Sequence, residues 1–149
     1  MSTATTPSVN GQIVALAHYA TKAVLEQALA SVGLTYLQSL SMNFTAAQGG
    51  SATRESITGR LQEALKIEEA AALAPVSELL RAGLLEAADG SVIRLTEHGR
   101  ALQEETSGYG AAIAARVYAG FTPEELATAG RVLSVVTARA NAELAGEQS

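Results

Sequence analysis

One short hairpin pattern constrains the fold of this chain most, because it stands alone among segments patterned for helices. Residues 84–88 and 91–95 are apolar-rich runs on either side of Asp89-Gly90. An Asp-Gly pair accepts the positive φ angles of a type I′ turn, whose twist suits a two-residue loop between antiparallel strands. The sequence therefore predicts a two-stranded wing within a mostly α fold.

Two helices are predicted at the start of the chain. The first follows the cap Asn10 and ends at Gly33, since apolar residues recur every three or four positions between them. The second covers about 36–44 after the cap Thr35. Glycine and polar residues then predict a loop over 48–51.

Two further helices are predicted before the hairpin. One spans about 54–65 after the cap Thr53, and the next runs roughly from 68 to 82. Pro75 lies inside this fourth helix, where it removes a backbone hydrogen bond. The sequence leaves open whether Pro75 kinks the helix or starts a new one.

Two helices are predicted after the hairpin. The longer one follows the cap Thr96 and runs to about Ala119, with Gly108 and Gly110 marking a bend or a close contact. The last helix has a strong start signal. It combines a threonine cap, a proline in the first position and a glutamate that completes a capping box: Thr122, Pro123 and Glu125.

The residue types present exclude several kinds of site. The chain has no cysteine, so thiolate metal sites, disulfides and thiol nucleophiles are impossible. Its two histidines have no third ligand nearby in the sequence. No motif pairs a nucleophile with a general base. We therefore expect no metal, no cofactor and no enzymatic activity.

We expect no secretory signal peptide at the start of the chain. Residues 1–10 are polar and lack the basic and apolar regions of a secretory leader. No stretch of about 18 uninterrupted apolar residues predicts a membrane span. We expect a cytoplasmic protein with no membrane partner, a frayed arm over 1–9 and a frayed tail from 146.

The predicted order of elements is typical of a winged helix-turn-helix protein. Three short helices and a hairpin over 34–103 form the winged unit. The segments 10–33 and 104–146 lie outside it, and their apolar stripes are wider than one neighbouring helix covers. The sequence thus predicts a single domain over 1–149 whose N- and C-terminal helices form the interface of a two-fold homodimer.

With this order of elements, the chain resembles the MarR family of bacterial regulators from about residue 11 to 144. Four local signatures carry the resemblance, in the right order and spacing. They are the Gly33-Leu34-Thr35 start of the second helix, the Leu79-Leu80-Arg81-Ala82-Gly83-Leu84-Leu85 entry into the wing, the Leu95-Thr96-Glu97-His98-Gly99-Arg100-Ala101-Leu102 junction after it, and Phe121-Thr122-Pro123-Glu124-Glu125-Leu126 before the last helix.

The resemblance implies a ligand-responsive transcriptional regulator. Such a homodimer interlocks its terminal helices, and each winged unit places a recognition helix in the major groove of double-stranded DNA with the wing along a minor groove. A small phenolic or lipophilic effector would bind between the dimer region and the winged unit.

The resemblance implies candidate residues for contacts with DNA and with the effector, and each of them has a non-functional alternative. Solvated surface charge is the alternative for the DNA contacts, which are Arg54, Arg60, Ser77, Arg81 and Arg94. Ordinary packing is the alternative for the ligand pocket between the second and fifth helices, which is lined by His18, Tyr19, Tyr36, Leu37, Met42, Phe44 and Tyr109.

The winged unit departs from the family in its charge. Its recognition helix starts with Glu68 and Glu69 followed by a run of alanines, and its short wing has Arg94 as its only base. From 54 to 100, six basic residues face eight acidic ones, a balance of −2. Because DNA-reading units are usually basic, an alternative is that DNA binding is lost. The fold would then serve a small molecule, a catalytic reaction or a partner protein.

Overall fold

The computed structural model describes residues 6–146. The predicted frayed arm and tail, and the absence of a leader, concern segments that lie partly outside this range. The described residues form a mostly α fold with six helices and three short strands. In chain order these are α1 (Gly11–Ala30), α2 (Tyr36–Ala47), β1 (Ser51–Thr53), α3 (Arg54–Leu65), α4 (Glu69–Arg81), β2 (Leu85–Ala87), β3 (Val92–Leu95), α5 (Glu97–Val117) and α6 (Pro123–Leu144).

Side-chain caps mark the start of every described helix except α4, as the sequence predicts for those five. The Thr35 hydroxyl accepts a hydrogen bond from the Gln38 amide, and the Gln38 side chain accepts one from the Thr35 amide. This capping box satisfies two backbone groups that the first turn leaves free. The same arrangement joins Thr122 and Glu125 before α6. Single caps start three other helices: Asn10, Thr53 and Thr96.

The structure shows whether the fourth helix begins anew at Pro75. The helix is continuous from Glu69 to Arg81, so Pro75 lies inside it and does not start a new helix. Its ring is fully buried. Proline has no amide hydrogen, so the carbonyl of Ala71, four residues earlier, has no helical donor at that position. Packing of α4 on α2 and α3 therefore holds together a helix with one backbone bond missing.

The sheet has one strand more than predicted. Strand β1 begins at the last residue of the predicted loop and pairs with β3, giving the order β1-β3-β2 with all neighbours antiparallel. Its three residues, 51–53, are too few to show an alternating pattern. Pairing with the distant β3, rather than local preference, makes this segment a strand.

The hairpin is confirmed, but the predicted two-residue type I′ turn is wrong. Leu85 pairs with Leu95 and Ala87 with Ile93, which leaves a loop of residues 89–91 between the strands. The Val92 amide donates to the Asp89 carbonyl, so Gly90 takes the first central position of the turn. Gly90 has a positive φ of 62°, whereas Asp89 has none. A type I′ turn requires positive φ at both residues.

By its contacts, the described chain divides into two compact units that meet within α5, at Ile113 and Ala114. The first unit holds an aliphatic core, which is made of Leu29, Leu34, Met42, Ile57, Leu61, Ala72, Val76, Leu79, Leu84, Leu85, Ile93 and Leu95. In the second unit, α6 has no buried residue. Nothing within the described residues approaches Gly108 or Gly110, so the predicted close contact is not made inside this chain.

Candidate functional site

A cavity of about 840 Å³ opens in the first unit where α1, α2 and α4 come together. Charged and polar side chains from α1 and α2 face an apolar wall from the end of α3 and from α4. The lining residues are His18, Lys22, Glu26, Thr35, Tyr36, Leu37, Ala64, Leu65, Ile67, Ala71, Ala74, Pro75 and Glu78.

Local geometry brings these residues to the cavity. On α1, His18, Lys22 and Glu26 are spaced four apart, which places them on one helix face. Tyr36 is the first residue of α2, held by the capping box described above. At the end of α3, Lys66 takes a left-handed conformation with φ 59° and turns the chain, so that Ile67 reaches the cavity wall.

The cation on the α1 wall is already neutralised. The Lys22 ammonium lies 3.1 Å from the Glu26 carboxylate and 4.9 Å from the centre of the Tyr36 ring. A carboxylate and an aromatic face thus compensate the positive charge.

The acid on the α4 wall has no such partner. Glu78 accepts a hydrogen bond of 3.0 Å from the Gln38 side-chain amide. Within residues 6–146, no basic nitrogen lies within 4.0 Å of its carboxylate. With Lys22 and Glu26 cancelling each other, the lining carries one net negative charge when His18 is neutral.

The structure places three of the seven predicted pocket residues in this cavity: His18, Tyr36 and Leu37. The other four lie elsewhere. Met42 belongs to the core, and the Phe44 ring faces the Arg60 guanidinium at 5.8 Å. Tyr19 is exposed beside His18. The Tyr109 hydroxyl donates to Glu105, and this bond raises the pKa of Tyr109.

The cavity therefore lies beside α1 and α4, whereas the ligand pocket between the second and fifth helices stays a prediction. Sequence reasoning missed the charged residues Lys22, Glu26 and Glu78. The four-residue spacing of the α1 residues is a signal that was available. The position of α4 opposite these residues could not be predicted, because it depends on how the helices pack.

The second candidate surface is the exposed face of α4. Glu69, Ala70, Ala74, Glu78 and Arg81 are exposed on α4 and Ser77 is half-buried, and of these Ala74 and Glu78 also line the cavity. Acidic and methyl groups thus outnumber groups that donate to DNA bases.

The remaining predicted DNA contacts lie on α3 and the wing. Arg54 is half-buried at the first position of α3, and Arg60 is exposed. In the wing, the Arg94 side chain lies 2.8 Å from the Glu86 carboxylate directly across the hairpin. This cross-strand ion pair engages Arg94, which is the only basic residue of the wing.

Two features are absent from residues 6–146. No cluster of three His, Cys, Asp or Glu residues there is placed to hold a metal ion. No helix in that part of the chain is long and apolar enough to cross a membrane.

The architecture defines the class of fold. Helices α2, α3 and α4 pack as a tri-helical unit, and a small antiparallel sheet carries the β2–β3 hairpin directly after α4. This is a winged helix-turn-helix fold. Helices α1, α5 and α6 lie outside the winged unit in the chain order.

Comparison with solved structures shows which winged helix fold it is. A mutant MarR from E. coli complexed with operator DNA matches with a TM-score of 0.69 at 18% sequence identity, covering 85% of this chain and 91% of that one. The organohalide-sensing regulator RdhR-CbdbA1625, bound to 2,4-dichlorophenol, matches with 0.71 at 17% identity and coverages of 85% and 76%. The Mycobacterium tuberculosis MarR family protein Rv2887, in complex with p-aminosalicylic acid, matches with 0.66 at 19% identity and coverages of 87% and 99%.

The chain therefore has the MarR-type winged helix fold, as its sequence signatures predict. No protein-family model matches the chain, and no curated protein matches it in sequence.

Proposed function

We propose that this protein is a ligand-responsive, DNA-binding transcriptional regulator that acts as a homodimer. The observation that carries the proposal is the winged unit itself, with α4 and the hairpin in the positions of a recognition helix and a wing. A protein of the same fold has been crystallised on operator DNA. On this proposal the whole chain works as one domain, with 34–103 reading DNA and 10–33 and 104–146 forming the dimer.

The proposed DNA contacts divide into two kinds. Ser77 and Arg81 lie on α4 and would reach base edges or phosphates in the major groove. Arg54 and Arg60 on α3 and Arg94 in the wing would hold phosphates. Because their number is small and acids surround them, we expect weak binding that falls as the salt concentration rises.

DNA binding is tested by titrating the protein with genomic fragments at low salt, followed by Arg81→Ala. We expect a specific shift on a palindromic site, and a loss of about 1–3 kcal/mol of binding free energy in the variant. Arg131→Ala on α6 is the matched control and should bind as the unchanged protein does. Failure to shift any fragment at low salt would contradict this part of the proposal.

The effector is proposed to bind in the cavity beside α1 and α4. Its volume suits one small molecule with an aromatic ring. Two proteins of this fold have been crystallised with such molecules, 2,4-dichlorophenol and p-aminosalicylic acid. An occupant would touch α1 and α4 together, so it would bias the position of the proposed recognition helix.

One observation favours a second candidate function, that of a small-molecule binding protein that has lost the ability to bind DNA. The exposed face of α4 is acidic and methyl-rich, and Glu86 occupies the only base of the wing. This candidate predicts stabilisation by a small molecule in a thermal-shift screen, together with no DNA binding at any salt concentration. The regulator predicts both activities.

A further inference from the structure

We infer that the occupant of the cavity is an organic cation, an aromatic or otherwise apolar amine, rather than an acid. This inference deepens the proposed ligand-binding function and rests on it. The observation that carries it is that the Glu78 carboxylate, which has no basic nitrogen within 4.0 Å among residues 6–146, lines the same cavity as Tyr36 and several apolar side chains.

The charges of the lining residues favour a cationic ligand over an anionic one. A carboxylate ligand would share the Lys22 ammonium with Glu26 and would add a third carboxylate to a lining that already holds those of Glu26 and Glu78. An ammonium ligand would leave that pair intact and supply the charge that Glu78 lacks. It would therefore gain one ion pair without breaking another.

The rest of the cavity suits the apolar part of such a molecule. Leu37, Leu65, Ile67 and Ala74 provide aliphatic surface. The Tyr36 ring lies among them, with Lys22 over one of its faces. An aromatic amine would bury its ring here, and its ammonium would reach Glu78.

The test is calorimetric titration of the full chain, without DNA, using three probes of similar size. Tyramine is a cation at pH 7, 4-ethylphenol is neutral and 4-hydroxyphenylacetate is an anion. We expect tyramine to bind most tightly and the anion most weakly. In Glu78→Gln, tyramine should bind about two- to fivefold more weakly, the effect of losing one solvent-accessible ion pair.

Two further variants separate the effect of Glu78 from that of the overall charge and of the Lys22–Glu26 pair. Glu69→Gln removes an equal charge from α4 outside the cavity and should leave the affinity for tyramine unchanged. Glu26→Gln leaves Lys22 without its partner and should raise the affinity for 4-hydroxyphenylacetate relative to tyramine. Tighter binding of the anion to the unchanged protein, equal effects of the Glu78 and Glu69 variants, or no binding of any probe would each overturn the inference.

Failure of this inference is distinguishable from failure of the regulator proposal. If DNA is bound but the anion is preferred, the regulator stands and the ligand class is wrong. If tyramine is preferred but no DNA is bound, the ligand class stands and the protein belongs to the second candidate.

Discussion

Among the glycines, Gly99 has the least room for a side chain. It lies in the first turn of α5, where a methyl group would overlap the backbone carbonyl of Leu84. We expect Gly99→Ala to lower the free energy of unfolding by at least about 2 kcal/mol, because the backbone itself must move. Urea denaturation followed by circular dichroism measures this loss.

Gly59 provides the matched control for that substitution. It is an exposed glycine inside α3, with open space where a side chain would lie. Gly59→Ala should stabilise the protein by about 0.5–1 kcal/mol, since alanine prefers the helix and restricts the unfolded chain. Equal destabilisation by both substitutions would show that the Leu84 contact is not the cause.

At the residue scale, sequence predicts what depends on neighbours along the chain. The caps at Asn10, Thr35 and Thr122 are satisfied within three residues, and each prediction is confirmed. The partner of Arg94 is Glu86, eight residues away, and depends on the hairpin register. The two-residue turn predicted for Asp89-Gly90 gives a different register, so this pair was missed.

Among the elements, the wing gives the most direct test of DNA binding. Glu86→Gln removes the carboxylate that holds Arg94. If the protein binds DNA, we expect the affinity to rise, and the slope of log K against log salt to steepen by about 0.9, as for one added phosphate contact. Fluorescence anisotropy with labelled duplex at several salt concentrations measures both quantities.

The control for the wing variant is Glu143→Gln, which changes the net charge equally but lies near the end of α6. It should leave the salt slope unchanged. A steeper slope in both variants would assign the effect to overall charge rather than to the release of Arg94. An unchanged slope in Glu86→Gln would remove Arg94 from the proposed DNA contacts.

At the element scale, the helices were predictable and the sheet only in part. Each helix has a periodic apolar pattern and a stop or start signal in its own segment. Strand β1 has neither, because its three residues become a strand through pairing with β3. The cavity was missed for a similar reason, since its walls come from helices that are distant in sequence.

For the whole molecule, the expected homodimer depends on apolar rows that this chain leaves exposed. Val14, Leu16 and Val24 on α1, and Leu133 and Val136 on α6, are exposed in the single chain. If α6 forms the dimer interface, a charge in its apolar row must be buried without a partner. Leu133→Asp should then raise the dimer dissociation constant by about two orders of magnitude.

Sedimentation equilibrium over micromolar concentrations measures this change. Ala138→Asp adds the same charge on the opposite side of α6 and should leave the dimer intact. A monomer at micromolar concentration in the unchanged protein would overturn the dimer itself. Equal weakening by both substitutions would remove the apolar row of α6 as its basis.

Gln38 joins two helices through a single side chain. Its amide oxygen accepts from the backbone amide of Thr35, the cap of α2, and its amide nitrogen donates to Glu78 near the end of α4. A cation arriving at Glu78 competes only for the second of these bonds. Occupancy would thus leave α2 fully wound while α4 exchanges an internal partner for an external one, which confines the response to the spacing between the two helices.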